Sequence, residues 1–221
     1  HKGAKLYTYR FDQGCLFLIG HAYNPYTMEA DENVILQNLS QAYGTDCYWN
    51  TIDELTGIFV LGLVNDKALE LVLDASGMQC GCYGTIAGKQ YISSHMRLIG
   101  DICQLQTDPY VKRLINYRWY RFMMGNYLPG DITCYKELKR IIPNTSLTFC
   151  NGVYTVKRFY PNRPIQMCQT EEEYRHVIAE ASRILQNSMA LIPQKWKRPA
   201  ISLTGGVDSN TTFAAANGHY S

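Results

Sequence analysis

The sequence predicts an α+β domain in which β-sheets pack against each other and against helices, followed by the beginning of an α/β domain. Residues 55–98 predict the first part, because short apolar segments alternate there with turn residues, as in a meander of packed sheets. Residues 199–217 predict the second part, because a short apolar segment, a glycine turn and a helical segment follow each other. The β-rich part therefore comes first in the chain.

The composition excludes several classes of protein. Of the 221 residues, 46% are hydrophobic and 18% are charged, which is ordinary for a globular protein with a core. A net charge of +2 gives no reason to expect nucleic acid or a membrane surface as a partner. No apolar run reaches the roughly 18 residues that a membrane-spanning helix needs, and the chain does not open on a signal peptide. We therefore expect a cytoplasmic protein.

The eight cysteines form no compact framework of the kind that disulfide-rich secreted domains have. We therefore expect reduced, mostly buried thiols. Cys80 and Cys82 form an isolated pair, whereas a zinc site needs about four ligands, so they predict two neighbours on a strand.

The first third of the chain predicts a hairpin and a helix. Alternating side chains over residues 6–11 and an apolar run from Cys15 to Gly20 are typical of two strands joined by a turn at residues 12–14. Residues 31–43 carry apolar side chains at helical spacing, and Gly44 follows where a C-terminal capping glycine is common.

The middle of the chain predicts more strands and one helix. Strands are predicted at residues 58–64 and 69–73 with a turn between them, and the four glycines between 77 and 88 punctuate further short strands. Asp108 and Pro109 fit the cap and first turn of a helix that ends at Gly125. Turns and short strands follow, with a hairpin at Asn151-Gly152.

Residues 161–169 contain two prolines and predict a linker, and a long helix begins at Thr170. Thr170 and Glu173 fit a capping box, which satisfies backbone N–H groups at the start of a helix. Its predicted apolar face consists of Tyr174, Val177, Ile178, Ala181, Ile184, Leu185 and Met189. The basic run at 195–198 that follows predicts a solvated loop in preference to a contact with RNA.

The glycine turn near the C-terminal end predicts a phosphate-binding loop. Residues 199–203 predict a buried strand, and residues 210–217 predict a helix. Between them, Gly205 and Gly206 allow close approach, while Thr204 and Ser209 add hydroxyl donors. A strand, a glycine turn and a helix together present backbone N–H groups and a positive helix end to a phosphate. The alternative is a tight turn without a ligand.

These residues resemble the Ser-Gly-Gly-x-Asp-Ser signature of the ATP-pyrophosphatase (PP-loop) family, with threonine at the first position. The resemblance implies that ATP is cut between its α and β phosphates and that a carbonyl or carboxylate oxygen is adenylated. It implies ATP and Mg²⁺ as cofactors, with Asp208 helping to organise the magnesium. The implied ATP-binding residues are Leu203, Thr204, Gly205, Gly206, Val207, Asp208 and Ser209.

The segments before the loop resemble asparagine synthetases, in which a class II glutamine amidotransferase domain precedes the PP-loop domain. The resembling segments are LFLIGHAYN at 16–24, ADENVI at 30–35, ELTGIF at 54–59, DASGM at 74–78, YISSH at 91–95, GNYLPG at 125–130, KEL at 136–138 and IPN at 142–144. Their order carries the resemblance. It implies an Ntn-hydrolase-like α+β sandwich at 1–160, a linker at 161–169, and at 170–221 the first, incomplete part of an α/β PP-loop domain.

The glutamine pocket that this resemblance implies is degenerate. Gly20 and Asp31 match family positions, Asp31 as the residue that holds the glutamine amino group. Ile19 and His21 replace an oxyanion-hole asparagine and a glutamate, and none of the cysteines matches the N-terminal nucleophile. We therefore expect no glutamine hydrolysis and assign no catalytic residue. The alternative for Asp31 is a helix cap.

Three hypotheses for function remain open. The first is an asparagine synthetase-like ligase that adenylates a small-molecule or peptide carboxylate and forms an amide. The second uses an amine other than glutamine, as in β-lactam synthetases or lasso-peptide cyclases, and the third is a non-catalytic nucleotide-binding scaffold. We expect a trimmed sequence that is inactive by itself. No nucleic acid or membrane is expected as a partner, and a homodimer is left open.

Overall fold

The computed structural model describes residues 4–161, 164–216 and 218. The fold is α+β with antiparallel sheets. The chain divides into two compact units, a first unit with the residues up to Phe59 and from Phe159 onward, and a second unit with Val60–Arg158. The domain bounds proposed from the sequence stay a prediction. No helix in the described part is long and apolar enough to cross a membrane.

Nine strands and seven helices follow each other in the described chain. The strands are β1 (Leu6–Phe11), β2 (Gly14–Tyr23), β3 (Thr56–Val64), β4 (Ala68–Leu73), β5 (Cys82–Ile86), β6 (Lys89–Ser93), β7 (Leu138–Arg140), β8 (Thr145–Cys150) and β9 (Val153–Arg158). The helices are α1 (Glu32–Ala42), α2 (Cys47–Asp53), α3 (Met96–Cys103), α4 (Pro109–Asn116), α5 (Arg118–Met124), α6 (Glu171–Lys195) and α7 (Val207–Ala216).

The first unit begins with the predicted hairpin. Strands β1 and β2 pair antiparallel from Leu6 opposite Ile19 to Phe11 opposite Gly14, and β2 extends beyond the predicted end to Tyr23. Strand β3 lies next to β2 and approaches it very closely at Gly20. Gly20 has φ +116°, and a Cβ added there would lie 2.2 Å from the Ile58 carbonyl oxygen. Only glycine fits this position, because any side chain would enter the β3 backbone.

Helix α1 packs against this hairpin, and its buried side chains join those of β2 in the core of the first unit. Asp31 caps the helix, since its carboxylate accepts a hydrogen bond from the Asn33 N–H at 2.8 Å. Leu36 and Leu39 of α1 are fully buried, as are Leu16 and Leu18 of β2. Helix α2 was not predicted from the sequence.

Helix α6 begins with the predicted capping box at Thr170 and Glu173, which is confirmed. The predicted apolar face is wrong in its first turns, where Tyr174, Val177 and Ile178 are half-exposed. Within the described part of the chain, α6 is buried mainly near its C-terminal end, where Leu191 is fully buried. One turn earlier, the Asn187 side chain donates to the Pro25 carbonyl oxygen at 2.7 Å.

The second unit contains the remaining strands in two sheets. Strand β3 continues from Val60 beside β4, β8 and β9, in that order, and a smaller sheet has the order β6-β5-β7. The predicted hairpin at Asn151-Gly152 is confirmed, since both residues have the positive φ that such a turn needs. The Tyr83 and Tyr154 rings, one from each sheet, lie 5.0 Å apart.

The single helix predicted from Asp108 to Met124 is wrong, because the chain breaks it in two. Asp108 caps α4 as predicted, and its carboxylate accepts from the Tyr110 N–H at 2.8 Å. At Tyr117 the backbone is extended, with ψ +119°, so α4 ends before it and α5 begins after it. Helix α3 was also not predicted from the sequence.

The predicted strand at residues 199–203 is wrong. This segment is irregular, because no strand among the described residues pairs with it. Helix α7 begins at Val207, three residues earlier than predicted. Its predicted end at Asn217 lies outside the described residues, as do residues 162–163 of the predicted linker. The beginning of an α/β domain stays a prediction.

The close approach at Gly20 gives a stability prediction. We expect Gly20→Ala to lower the free energy of unfolding by about 2–4 kcal/mol, because a Cβ would clash with the Ile58 carbonyl oxygen and strain the backbone. Gly44→Ala is the matched control, since Gly44 has φ +77° but no atom near its Cβ position. It should lose only about 1 kcal/mol. Urea unfolding measures both, and equal losses would contradict the described contact between β2 and β3.

Candidate functional site

The glycine turn between Leu203 and α7 is closed by two hydroxyl groups. The Thr204 N–H donates to the Ser209 Oγ at 3.1 Å, and the Gly206 N–H donates to the Thr204 Oγ1 at 3.3 Å. The Thr204 and Ser209 hydroxyl oxygens are 2.8 Å apart and hydrogen-bonded. The two hydroxyls predicted to bind phosphate thus bond here to the loop itself.

The start of α7 is presented at the protein surface. Its first helical hydrogen bond runs from the Asn210 N–H to the Gly206 carbonyl oxygen at 3.3 Å. The N–H groups of Val207, Asp208 and Ser209 precede it and have no acceptor within the helix, as in any α-helix. These amides and the positive end of the helix are favourable to an anion. Val207 is 80% exposed, so solvent reaches this end.

Gly205 and Gly206 are not required by the folding of the chain around them. A Cβ added at Gly205 would meet no atom within 4 Å, and one at Gly206 would meet only the Thr204 Oγ1 at 3.5 Å. Neither residue has the positive φ that side chains avoid. Gly20 and Gly84 are different, because a Cβ at either would lie 2.2 Å from a carbonyl oxygen. The space above Gly205 and Gly206 is therefore open to a ligand.

Asp208 lies in the first turn of α7, where a carboxylate is favourable to the helix end. The described residues contain no group of three or more His, Cys, Asp or Glu side chains that could hold a metal ion. Magnesium is commonly bound by one or two carboxylates together with substrate phosphates. A single exposed carboxylate beside an open glycine turn fits that kind of site, in which the nucleotide supplies the other ligands.

The two residues of the predicted glutamine pocket have structural roles. Gly20 lies against the β3 backbone, and Asp31 caps α1 at an exposed position. Ile19, at the oxyanion position of the resemblance, pairs with Leu6 of β1. Whether Gly20 and Asp31 also bind a ligand stays a prediction.

A buried ion pair near these residues was not predicted from the sequence. The Lys195 ammonium group contacts the Glu32 carboxylate and donates to the Ala22 carbonyl oxygen. It also lies 4.1 Å from the centre of the Tyr23 ring, a cation–π contact. Glu32 is only 4% exposed, and its carboxylate also accepts from the Ala22 N–H at 3.3 Å. Lys195 therefore joins the end of α6 to β2 and α1.

Burial has the largest effect on the pKa of Lys195. Burial lowers the pKa of Lys195, and the hydrogen bond and charge of Glu32 oppose that effect. Burial, followed by the charge of Glu32, raises the pKa of Tyr7. The Trp196 Nε1–H donates to the Tyr23 hydroxyl at 2.8 Å. The prediction of a solvated loop is therefore wrong for Lys195, which lies in α6 with a largely buried side chain. Trp196 follows the helix and is 47% exposed, although its indole N–H is hydrogen-bonded.

The prediction of mostly buried cysteines is also wrong. All eight are free thiols, but only Cys82 is buried, and Cys47, Cys80 and Cys168 are exposed. Burial raises the pKa of Cys82 to about 11, so its thiol is protonated at neutral pH. Cys82 lies in β5, whereas Cys80 precedes that strand.

Comparison with known proteins gives only a distant similarity. No protein-family model and no curated protein matches the chain. One similar solved structure is glutamine phosphoribosylpyrophosphate amidotransferase from B. subtilis complexed with ADP and GMP, with 13% identity and a TM-score of 0.45 over 97% of this chain. Another is described as the allosteric regulatory enzyme of purine biosynthesis, with 13% identity and a TM-score of 0.46 over 95% of this chain.

The chain spans less than half of each of those proteins, 46% of the first and 45% of the second. At these values, the similarity assigns neither a family nor an activity to this chain.

The ion pair gives a second stability prediction. We expect Lys195→Met to destabilise the protein by about 3 kcal/mol, because it leaves the Glu32 carboxylate buried without its cation. The double variant Lys195→Met/Glu32→Gln should recover most of that loss, since no charge is then buried. Arg175→Met on the same helix is the control, because Arg175 and Glu171 form an exposed pair and should contribute less than about 1 kcal/mol.

Thermal and urea unfolding of the four proteins measure these differences. A Lys195→Met variant as stable as the Arg175→Met control would show that the charges of the buried pair are not coupled.

Proposed function

We propose that the chain binds ATP at Leu203–Ser209 and belongs to an ATP-dependent carbon–nitrogen ligase of the asparagine synthetase type. Two independent features support the proposal. The sequence of the turn resembles the PP-loop signature, and the glycines of the turn leave a space that the chain does not fill. The open space at Gly205 and Gly206 carries the proposal.

The backbone at the start of α7 does most of the binding in this proposal. The N–H groups of Val207, Asp208 and Ser209 donate to phosphate oxygens, and the positive helix end stabilises their charge. The hydroxyls of Thr204 and Ser209 can exchange their mutual hydrogen bond for phosphate oxygens, because hydroxyl groups both donate and accept. Asp208 would supply one carboxylate ligand to magnesium, which would neutralise phosphate charge.

The reaction that follows is an adenylation and an amide formation. A carboxylate oxygen of the substrate attacks the α-phosphorus of ATP, and the bond to the bridging oxygen breaks, so pyrophosphate leaves. The product is an acyl-adenylate. An amine then attacks its carbonyl carbon, AMP leaves, and the amine loses a proton. Amides and a helix end that stabilise the departing pyrophosphate would lower the barrier to the first step.

Three features of the first unit favour the second hypothesis, a ligase that uses an amine other than glutamine. Ile19 has no side-chain donor for an oxyanion, and Gly20 is packed against the β3 backbone. Asp31 is engaged as a helix cap. These observations support a first unit that does not hydrolyse glutamine.

The third hypothesis, a non-catalytic nucleotide-binding scaffold, uses the same loop without the chemistry that follows binding. Pyrophosphate release from ATP in the presence of a carboxylate such as aspartate, with ammonia, with glutamine and with neither, separates the hypotheses. Release with both nitrogen sources supports a working glutaminase, and release with ammonia alone supports the second hypothesis. ATP binding without release supports the scaffold.

Filling the space above the turn should abolish tight binding. We expect Gly205→Val to raise the dissociation constant for ATP at least about tenfold, because the side chain would occupy the phosphate position, while its Cβ would meet no protein atom within 4 Å. The variant should fold with an unchanged thermal midpoint. Ala214→Val adds the same kind of side chain at an exposed position of α7 and should leave the affinity unchanged. Isothermal titration calorimetry measures both.

If Gly205→Val binds ATP as tightly as the unchanged chain, the phosphate does not bind at this turn. Undetectable binding of ATP to the unchanged chain would overturn the proposal as a whole.

The role of Asp208 can be tested through the dependence on magnesium. We expect Asp208→Asn to bind Mg–ATP several-fold more weakly, because one magnesium ligand is lost. In EDTA, the same variant should bind ATP at least as tightly as the unchanged chain, because a negative charge beside the phosphates has been removed. Asp46→Asn is the control, because Asp46 is also an exposed aspartate and lies directly before α2. Equal losses with and without magnesium would contradict a metal-binding role.

A further inference from the structure

Helices α4 and α5 and the segment after them form a basic surface, which we call the α4–α5 surface and define as residues 109–130. It contains the four basic residues Lys112, Arg113, Arg118 and Arg121, and no Asp or Glu. All four are exposed. The net charge of the whole chain is only +2, so the average conceals a local concentration of positive charge.

The same surface exposes large apolar side chains. Helix α5 buries none of its seven residues. Phe122 is 77% exposed, Met123 is 73% exposed and Trp119 is 63% exposed. Phe122, Met123 and Met124 are consecutive, and a run of three exposed apolar residues is unfavourable in water unless it has a function. The described residues thus leave the apolar part of α5 in contact with water.

We propose that the α4–α5 surface is a peripheral docking site for an anionic lipid bilayer. The charge is complementary, because basic residues near a membrane are attracted to anionic headgroups. The apolar residues suit the bilayer interface, where tryptophan and other apolar side chains of surface-bound helices insert below the headgroups. No membrane-spanning segment is needed for such a contact.

The shape of the apolar part favours a bilayer over a nucleic acid or a second copy of the chain. The exposed rings of Trp119, Phe122 and Tyr127 suit base stacking as well as the membrane interface, where tryptophan and tyrosine are enriched. Met123 and Met124 offer no ring for stacking and suit only the bilayer. Two copies meeting through this surface would bring eight positive charges together without a carboxylate from residues 109–130 to neutralise them. A bilayer can bury the exposed apolar side chains of α5, and its anionic headgroups can neutralise the basic residues of the same surface.

Sedimentation with lipid vesicles tests the electrostatic half of the proposal. The chain should bind vesicles of phosphatidylcholine and phosphatidylserine and should not bind phosphatidylcholine alone. We expect Arg118→Gln/Arg121→Gln to weaken the partition coefficient on the order of 30-fold, since each basic residue contributes to the attraction. Lys67→Gln/Lys89→Gln removes two exposed charges elsewhere in the second unit and should change binding far less.

Insertion is tested by the apolar side chains. Phe122→Ser should weaken binding at unchanged charge, whereas Met78→Ser, which removes a 65% exposed side chain outside the surface, should not. Brominated lipids should quench tryptophan fluorescence when the chain binds, and Trp119→Phe should remove that quenching while keeping the binding. Circular dichroism and the thermal midpoint in buffer verify that each variant is folded.

Several results would overturn the proposal. They are equal losses in the two double variants, binding that Phe122→Ser leaves unchanged, and quenching that persists in Trp119→Phe. Tighter binding to a single-stranded oligonucleotide than to the vesicles would assign the surface to nucleic acid instead. A dimer in analytical ultracentrifugation that Phe122→Ser dissociates would assign it to a second copy of the chain.

Discussion

The contact between the Lys195 ammonium group and the Glu32 carboxylate connects parts of the first unit that are 163 residues apart in sequence. Both groups are largely removed from water, so neither charge is tolerable without the other. The Ala22 carbonyl oxygen and the Tyr23 ring complete the surroundings of the lysine. This contact holds the C-terminal end of α6 at Lys195, nine residues before Thr204.

The glycines of this chain lie in two different settings, according to whether neighbouring atoms occupy the position of a Cβ. At Gly20 and Gly84, a neighbouring backbone occupies the space that a Cβ would need, so the fold requires glycine. At Gly205 and Gly206, neither the backbone angles nor the packing requires it. Glycine weakens the local chain by its conformational entropy. The proposed nucleotide site would account for this pair of glycines, because a phosphate could approach a backbone that carries no side chains.

Features coded by neighbouring residues were predictable from the sequence, and features that depend on distant contacts were not. The β1–β2 hairpin, the capping box at Thr170 and the Asn151-Gly152 turn follow from local side-chain chemistry. The break at Tyr117 has no such signal, since neither glycine nor proline marks it. The Lys195–Glu32 contact gave no local signal either, because a basic run after an amphipathic helix is usually solvated. The sequence pattern predicts which residues form the glycine turn, but it does not predict the hydrogen bonds between their hydroxyl groups.

The closed form of the Thr204–Ser209 loop is compatible with a nucleotide site because its hydrogen bonds are exchangeable. A hydroxyl that releases a neutral partner and donates to a charged phosphate oxygen instead makes a stronger hydrogen bond, since charge-assisted bonds are stronger than neutral ones. The amides at the start of α7 have no helical acceptor to give up. Opening the loop therefore exchanges weak internal bonds for stronger external ones, while the amides gain partners. If the proposed site binds an anion, these internal bonds would already hold the backbone in place, which would reduce the ordering that binding itself must achieve.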